Sequence, residues 1–157
     1  MRVVSKAFLS ALLLALVAAL PAQASDYGVG IDLVRLLDQN QDDDGLMNAW
    51  VQFSTIGNGA LLLGYADGDN IEVVDVAYKH YMGERLNSVY FQAGLSHYDG
   101  PGDDDVGFVG AVGFERKLAK HFAIGGSVKL IAGVDENLLG TRETPVFQPT
   151  LSVAVPF

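Results

Sequence analysis

Two short stretches and one scattered set of charges hold the residue types from which a site could be built. Asn40-Gln41-Asp42-Asp43-Asp44-Gly45 places oxygen ligands at alternate positions and closes on glycine, the opening half of an EF-hand-type calcium loop. The twelfth position counted from Asn40 is Val51, where such a loop needs a bidentate Glu. Asn40, Asp42 and Asp44 therefore make at most a weak surface site for calcium or magnesium. A solvated acidic loop is the simpler reading, because Asp, Asn and Gly are also good turn residues. Ser96-His97 sets a hydroxyl beside an imidazole, yet neighbours on one strand point to opposite faces, outside the hydrogen-bond reach that nucleophilic catalysis needs. No catalytic residue and no tightly held cofactor is expected. The remaining set is Asp32, Asp75, Lys79, Glu115 and Lys129, and its meaning depends on the elements that carry it.

Those elements are strands. Apolar residues recur with period two from Tyr27 onward, the signature of an extended chain with two unlike faces. Tyr27, Val29, Ile31 and Leu33 alternate with Gly28, Gly30 and Asp32. Val74, Val76 and Tyr78 alternate with Asp75, Ala77 and Lys79. Phe108, Val112 and Phe114 oppose Gly107, Ala111, Gly113 and Glu115, and Phe122, Ile124, Val128 and Leu130 oppose Ala123, Gly125, Ser127 and Lys129. Similar segments near 48–54, 61–65, 89–96 and 147–157 bring the number to eight. Each is close to the length of about 9–11 residues that a tilted membrane strand requires. The polar face collects all five charged residues named above, with Gln52, Gln92 and Gln148.

The first 24 residues are a targeting segment and stand apart from the fold. Arg2 and Lys6 precede the apolar run Ala7–Leu20, Pro21 ends it, and Ala22-Gln23-Ala24 supplies the small residues before a cleavage point. The expected mature domain is 25–157. It carries 8 basic residues, the 10 of the whole chain less Arg2 and Lys6, against 19 acids, a formal charge of −11. That balance excludes a nucleic-acid partner, which demands a basic footprint. With no cysteine, disulfides cannot staple the exported chain. No later stretch is a membrane helix, so a membrane location requires a closed barrel, the other fold that pairs every backbone group.

Four features separate a membrane barrel from a soluble sandwich. The expected connections at 36–47, 66–70, 98–105 and 134–145 are mostly longer than those at 57–59, 83–87 and 117–120, as in outer-membrane barrels with their long loops outside. The longer set and its strand ends hold 14 of the 19 acids, whereas the short set holds Arg85, Arg116, Lys117 and Lys120. Aromatics fall at strand ends on the apolar face, as two interfacial girdles require. The last strand closes on Phe157, with apolar residues at alternate positions before it.

This pattern, over the whole mature chain, resembles the small bacterial outer-membrane barrels, the eight-stranded outer-membrane X, A and W types. Pro156 departs from it, standing where such proteins usually carry a polar or basic residue. The resemblance implies an all-β, antiparallel up-and-down transmembrane β-barrel of about eight strands in the outer membrane of a Gram-negative cell envelope. It implies a monomer whose partners are outer-membrane lipid and lipopolysaccharide, with Phe157 engaging the barrel-assembly machinery. The expected role is structural or surface-interacting, with Asp32, Asp75, Lys79, Glu115 and Lys129 pairing inside the tube. The alternatives are a narrow, porin-like path for water or small ions, and a lipid A-modifying enzyme. Against the enzyme, the His-x-Ser pattern of lipid A deacylases is absent, His80 falls on the apolar face, and His121 opens a strand beside the basic turn.

Overall fold

A computed structural model describes residues 27–37, 45–140 and 145–157. The expected targeting segment at 1–24 and the Asn40–Asp44 motif lie outside these residues. Eight strands follow one another: β1 (Tyr27–Asp32), β2 (Met47–Ser54), β3 (Gly59–Asp67), β4 (Glu72–Tyr81), β5 (Val89–Gly100), β6 (Asp103–Ala119), β7 (Phe122–Ala132) and β8 (Val146–Pro156). A 3-10 turn (Arg35–Leu37) follows β1, and a short helix, α1 (Glu136–Leu139), precedes β8. Every strand pairs antiparallel with its sequence neighbour, and β1 pairs with β8 through Gly28↔Pro156 to Asp32↔Ser152, so the sheet closes on itself. Closure leaves no strand edge with unpaired backbone groups.

The period-two pattern sorts residues as the sequence implies. On β4, Val73, Asp75, Ala77, Lys79 and Tyr81 are buried, while Val76, Tyr78 and His80 are exposed. On β6, Val109, Ala111 and Glu115 face the bore, and Phe108, Val112 and Phe114 face out. Glycine makes room inside: a Cβ on Gly30 would run into the Trp50 ring.

Two connections differ from the expected ones. Residues 98–105 do not form a loop, because β5 and β6 continue to Gly100 and from Asp103, joined by Pro101-Gly102. Proline sets the first turn residue, and Gly102, at φ 90°, takes the left-handed position that a type II turn reserves for glycine. Tyr98 keeps the inward parity of Ser96 and is fully buried, so the strand signal runs on beneath a surface rich in aspartate. Likewise β6 extends to Ala119, leaving only Lys120-His121 where a turn over 117–120 is expected.

The extended strands create a row of like charges. Register sets Asp67 opposite Glu72, Glu72 opposite Asp99, and Asp99 opposite Asp104, so four carboxylates line up across β3 to β6. Like charges directly opposite destabilise a sheet. His97 Nε2, 3.7 Å from Asp104, offers partial relief when protonated. Asp99→Asn is therefore expected to stabilise the protein by about 0.5 kcal/mol at low ionic strength, with the gain shrinking in concentrated salt. Denaturant titrations at two salt concentrations check this; a loss of stability at both would show that the carboxylate is needed as an acceptor.

Candidate functional site

The bore is filled by two polar layers. The first begins where β1 ends. Asp32 Oδ1 accepts hydrogen bonds from Val34 N (2.9 Å), Arg35 N (3.5 Å) and Leu151 N (3.3 Å), bending the chain back over the mouth. Asn48 holds the bend from β2, accepting from Asp32 N at 2.6 Å and donating to Asp32 O at 2.8 Å. The Arg35 side chain then enters the bore and donates Nη1 to Asp75 Oδ2 at 2.8 Å. Lys129 Nζ lies 3.4 Å from both Asp75 oxygens, and Ser96 Oγ donates to Oδ1. One carboxylate thus gathers groups from the β1 end, β5 and β7. Burial works to lower the Arg35 pKa, but Asp75, with Tyr98 and Asp32, raises it further, so the net direction is up and the guanidinium stays charged.

The second layer is centred on Glu115. Lys79 Nζ donates to Oε1 at 2.6 Å and Tyr81 Oη to Oε2 at 2.5 Å, while Gln52 Nε2 donates to Tyr81 Oη at 2.9 Å. The Lys79 ammonium also sits 4.3 Å from the Tyr90 ring centroid and 5.4 Å from that of Trp50, within cation–π range. Lys79 and Glu115 are 2% and 3% exposed, so neither is neutralised by solvent and each depends on the other.

Apolar residues seal the long-connection mouth. Leu46, Ile71, Val73, Tyr98, Ile131, Val134, Leu138 and Leu139 form one cluster at the long-connection mouth. The helix α1 supplies two of them, its start capped by Asp135 accepting from Asn137 N and its end by Gly140 at φ 64°. Trp50, Leu62, Ala123 and Ala154 pack below. Between the layers lies a cavity of about 70 Å3 lined by Asp32, Arg35, Asp75, Lys79, Glu115 and Lys129, among others. That space suits a few waters; small-molecule sites run from about 300 Å3 upward.

Four of the five charges singled out by parity meet in these layers, as two pairs on Asp75 and Glu115. Among the described residues Asp32 joins no ion pair; its carboxylate is taken up by the backbone N–H groups of Val34, Arg35 and Leu151. Arg35, which lies beyond the strand pattern and outside the set chosen by parity, joins Asp75 instead. The signal was present: Asp two and three residues before a turn captures those N–H groups and fixes where the next side chains go. Tyr81 and Tyr98 were also missed as lumen residues, though both share parity with charged or polar neighbours. Ser96 is fully buried and His97 lies on the opposite face, half exposed. His80 faces outward. Asn40, Asp42 and Asp44 are outside the described residues, among which no group of three or more metal-ligating side chains converges. No protein-family model, curated protein or solved structure matches the chain.

Breaking one member of a buried pair strands the other charge. Lys79→Met and Glu115→Gln are each expected to destabilise the protein by about 3 kcal/mol. The double variant should fall short of the sum by about 1–3 kcal/mol, the coupling expected of residues in contact. Denaturant unfolding of all four proteins in detergent checks it; additive losses would mean that the pair is not coupled.

Proposed function

We propose that this chain is a small outer-membrane β-barrel with a structural or surface-interaction role, its lumen closed by ion pairs. One observation carries the reading: the closed barrel is inside out relative to a water-soluble protein. Val76, Tyr78, Phe91, Leu95, Phe108, Val112, Phe114, Val128 and Leu151 face outward, each 46% exposed or more, while Asp75, Lys79, Glu115 and Lys129 lie inside. A continuous apolar exterior of this size in water is an association hazard, whereas in lipid it is the required surface. A barrel is also one of two folds that cross a bilayer with no unpaired backbone.

The rims support an orientation. Arg85, Arg116, Lys117 and Lys120 gather on the short-turn side, and the Asp67–Glu72–Asp99–Asp104 row lies on the other. In the proposed orientation the acidic rim meets the lipopolysaccharide layer, where divalent cations and phosphates screen it, and the short turns meet the periplasm. The two polar layers and the small cavity favour a plugged tube over a solute pathway.

Cell fractionation combined with mobility on a denaturing gel, boiled and unboiled, tests the proposal. A folded membrane barrel is expected in the outer-membrane fraction, resisting the gel detergent and shifting mobility on boiling. Release with soluble periplasmic proteins, and one mobility under both conditions, would overturn it.

A further inference from the structure

The short-turn mouth holds a second cavity, larger than the charge-balanced one between the ionic layers and predominantly basic. Its volume is about 320 Å3, and its walls include Gln52, Ser54, Arg85, Lys117, Lys120 and His121. We infer that this basic mouth binds a phosphoryl oxyanion, presented by a soluble phosphate compound or by a lipid headgroup. Three fixed cations line it against one acidic side chain, Glu84, and Glu84 already accepts from Asn87 Nδ2. Among the described residues, Lys117 and Lys120 have no carboxylate within ion-pair distance. Lys117 and Lys120, held together on one concave wall with no such carboxylate, lower their mutual repulsion by taking up an anion.

The local backbone bends towards this mouth in two places. Register slips between Lys117 and Ala119, so that Leu118 is an extra residue on β6 opposite the Ala123–Phe122 step of β7. A bulge of this kind re-aims neighbouring side chains. Lys117 keeps the inward parity of Glu115, while Leu118 stays exposed. Across the mouth, Leu86 adopts φ 59°, the one non-glycine residue with positive φ among the described residues. That conformation is strained for a leucine and is retained where the surroundings enforce it. It shapes the turn from which Arg85 Nη1 reaches Thr55 O (3.2 Å) and Gly57 O (3.4 Å), tying the guanidinium group to the cavity wall. His121 donates Nδ1–H to Pro156 O at 3.1 Å, which leaves Nε2 for a ligand and adds a further cation when protonated. Guanidinium and ammonium groups together are the usual donor set for phosphoryl oxygens.

The inference does not depend on the barrel lying in a membrane, since the mouth is described whatever surrounds the outer wall. It is tested on the full folded protein in a non-ionic detergent by calorimetric titration with inorganic pyrophosphate and, separately, with a short-chain phosphatidic acid below its micellar concentration. The expected result is saturable binding of at least one probe, weakened about tenfold or more in Lys117→Ala/Lys120→Ala and by added salt. Arg116→Ala, on the outward face of the same strand, should leave affinity unchanged, and Glu84→Gln should raise it. Binding of pyrophosphate alone assigns a soluble anion, and binding of the phosphatidic acid alone assigns a headgroup. Far-ultraviolet circular dichroism, which reads the β-sheet whatever surrounds the outer wall, shows that each variant is folded. Failure of both probes to bind, or undiminished binding by the folded double lysine variant, would overturn the inference.

Discussion

Charge inside a closed tube governs this molecule. Asp75 and Glu115 stand on β4 and β6, facing a bore just wide enough to be filled by side chains, with almost no water to solvate them. Each becomes tolerable through partners arriving from other walls: Arg35, Lys129 and Ser96 for Asp75, and Lys79 and Tyr81 for Glu115. These contacts join residues 21 to 54 positions apart in sequence, so they form only when the strands are already in register. A slip of one residue in β4 would turn Asp75 and Lys79 outward and Val76 and Tyr78 inward. The polar layers thus specify register as well as occupying space.

The same constraint explains why the first connection matters to the bore. Asp32 spends its carboxylate on backbone N–H groups, and by doing so it directs Arg35 down onto Asp75. Without Arg35, Lys129 would remain at 3.4 Å as the only cation beside Asp75 among the described residues. The apolar cluster around Tyr98, Leu138 and Leu139 then closes the mouth above the guanidinium. Connections at this rim are therefore part of the interior, not decoration on it.

Most of the fold was legible because a barrel writes its two faces into alternate residues. The eight strands and the grouping of Asp75, Lys79, Glu115 and Lys129 on one face follow from parity, and the loop, charge and aromatic patterns turn that face inward. Boundaries were harder where composition and periodicity disagree. The aspartates at 99 and 103–105, with Pro101 and Gly102, read as a loop, yet buried Tyr98 carries the strand pattern through them. The Arg35–Asp75 contact was illegible for a different reason. It spans 40 residues and depends on a turn whose direction is set by hydrogen bonds to Asp32, which periodicity does not encode. The basic mouth was half visible, since its cations were evident on the short turns. Their convergence on a cavity depends on a bulge and a strained leucine that leave no mark in composition.

The central claim is that the exterior wall faces hydrocarbon while the charged bore stays closed. Because the chain has no cysteine, single cysteines can be placed one at a time along β6 and spin-labelled without background. Accessibility of each label to oxygen and to a polar nickel complex, measured in reconstituted bilayers, reports its surroundings directly. The account predicts high oxygen and low nickel access at 108, 112 and 114, and low access to both at 109 and 111, a period of two along the strand. Nickel access at the outward positions equal to that of a label in open water would contradict it.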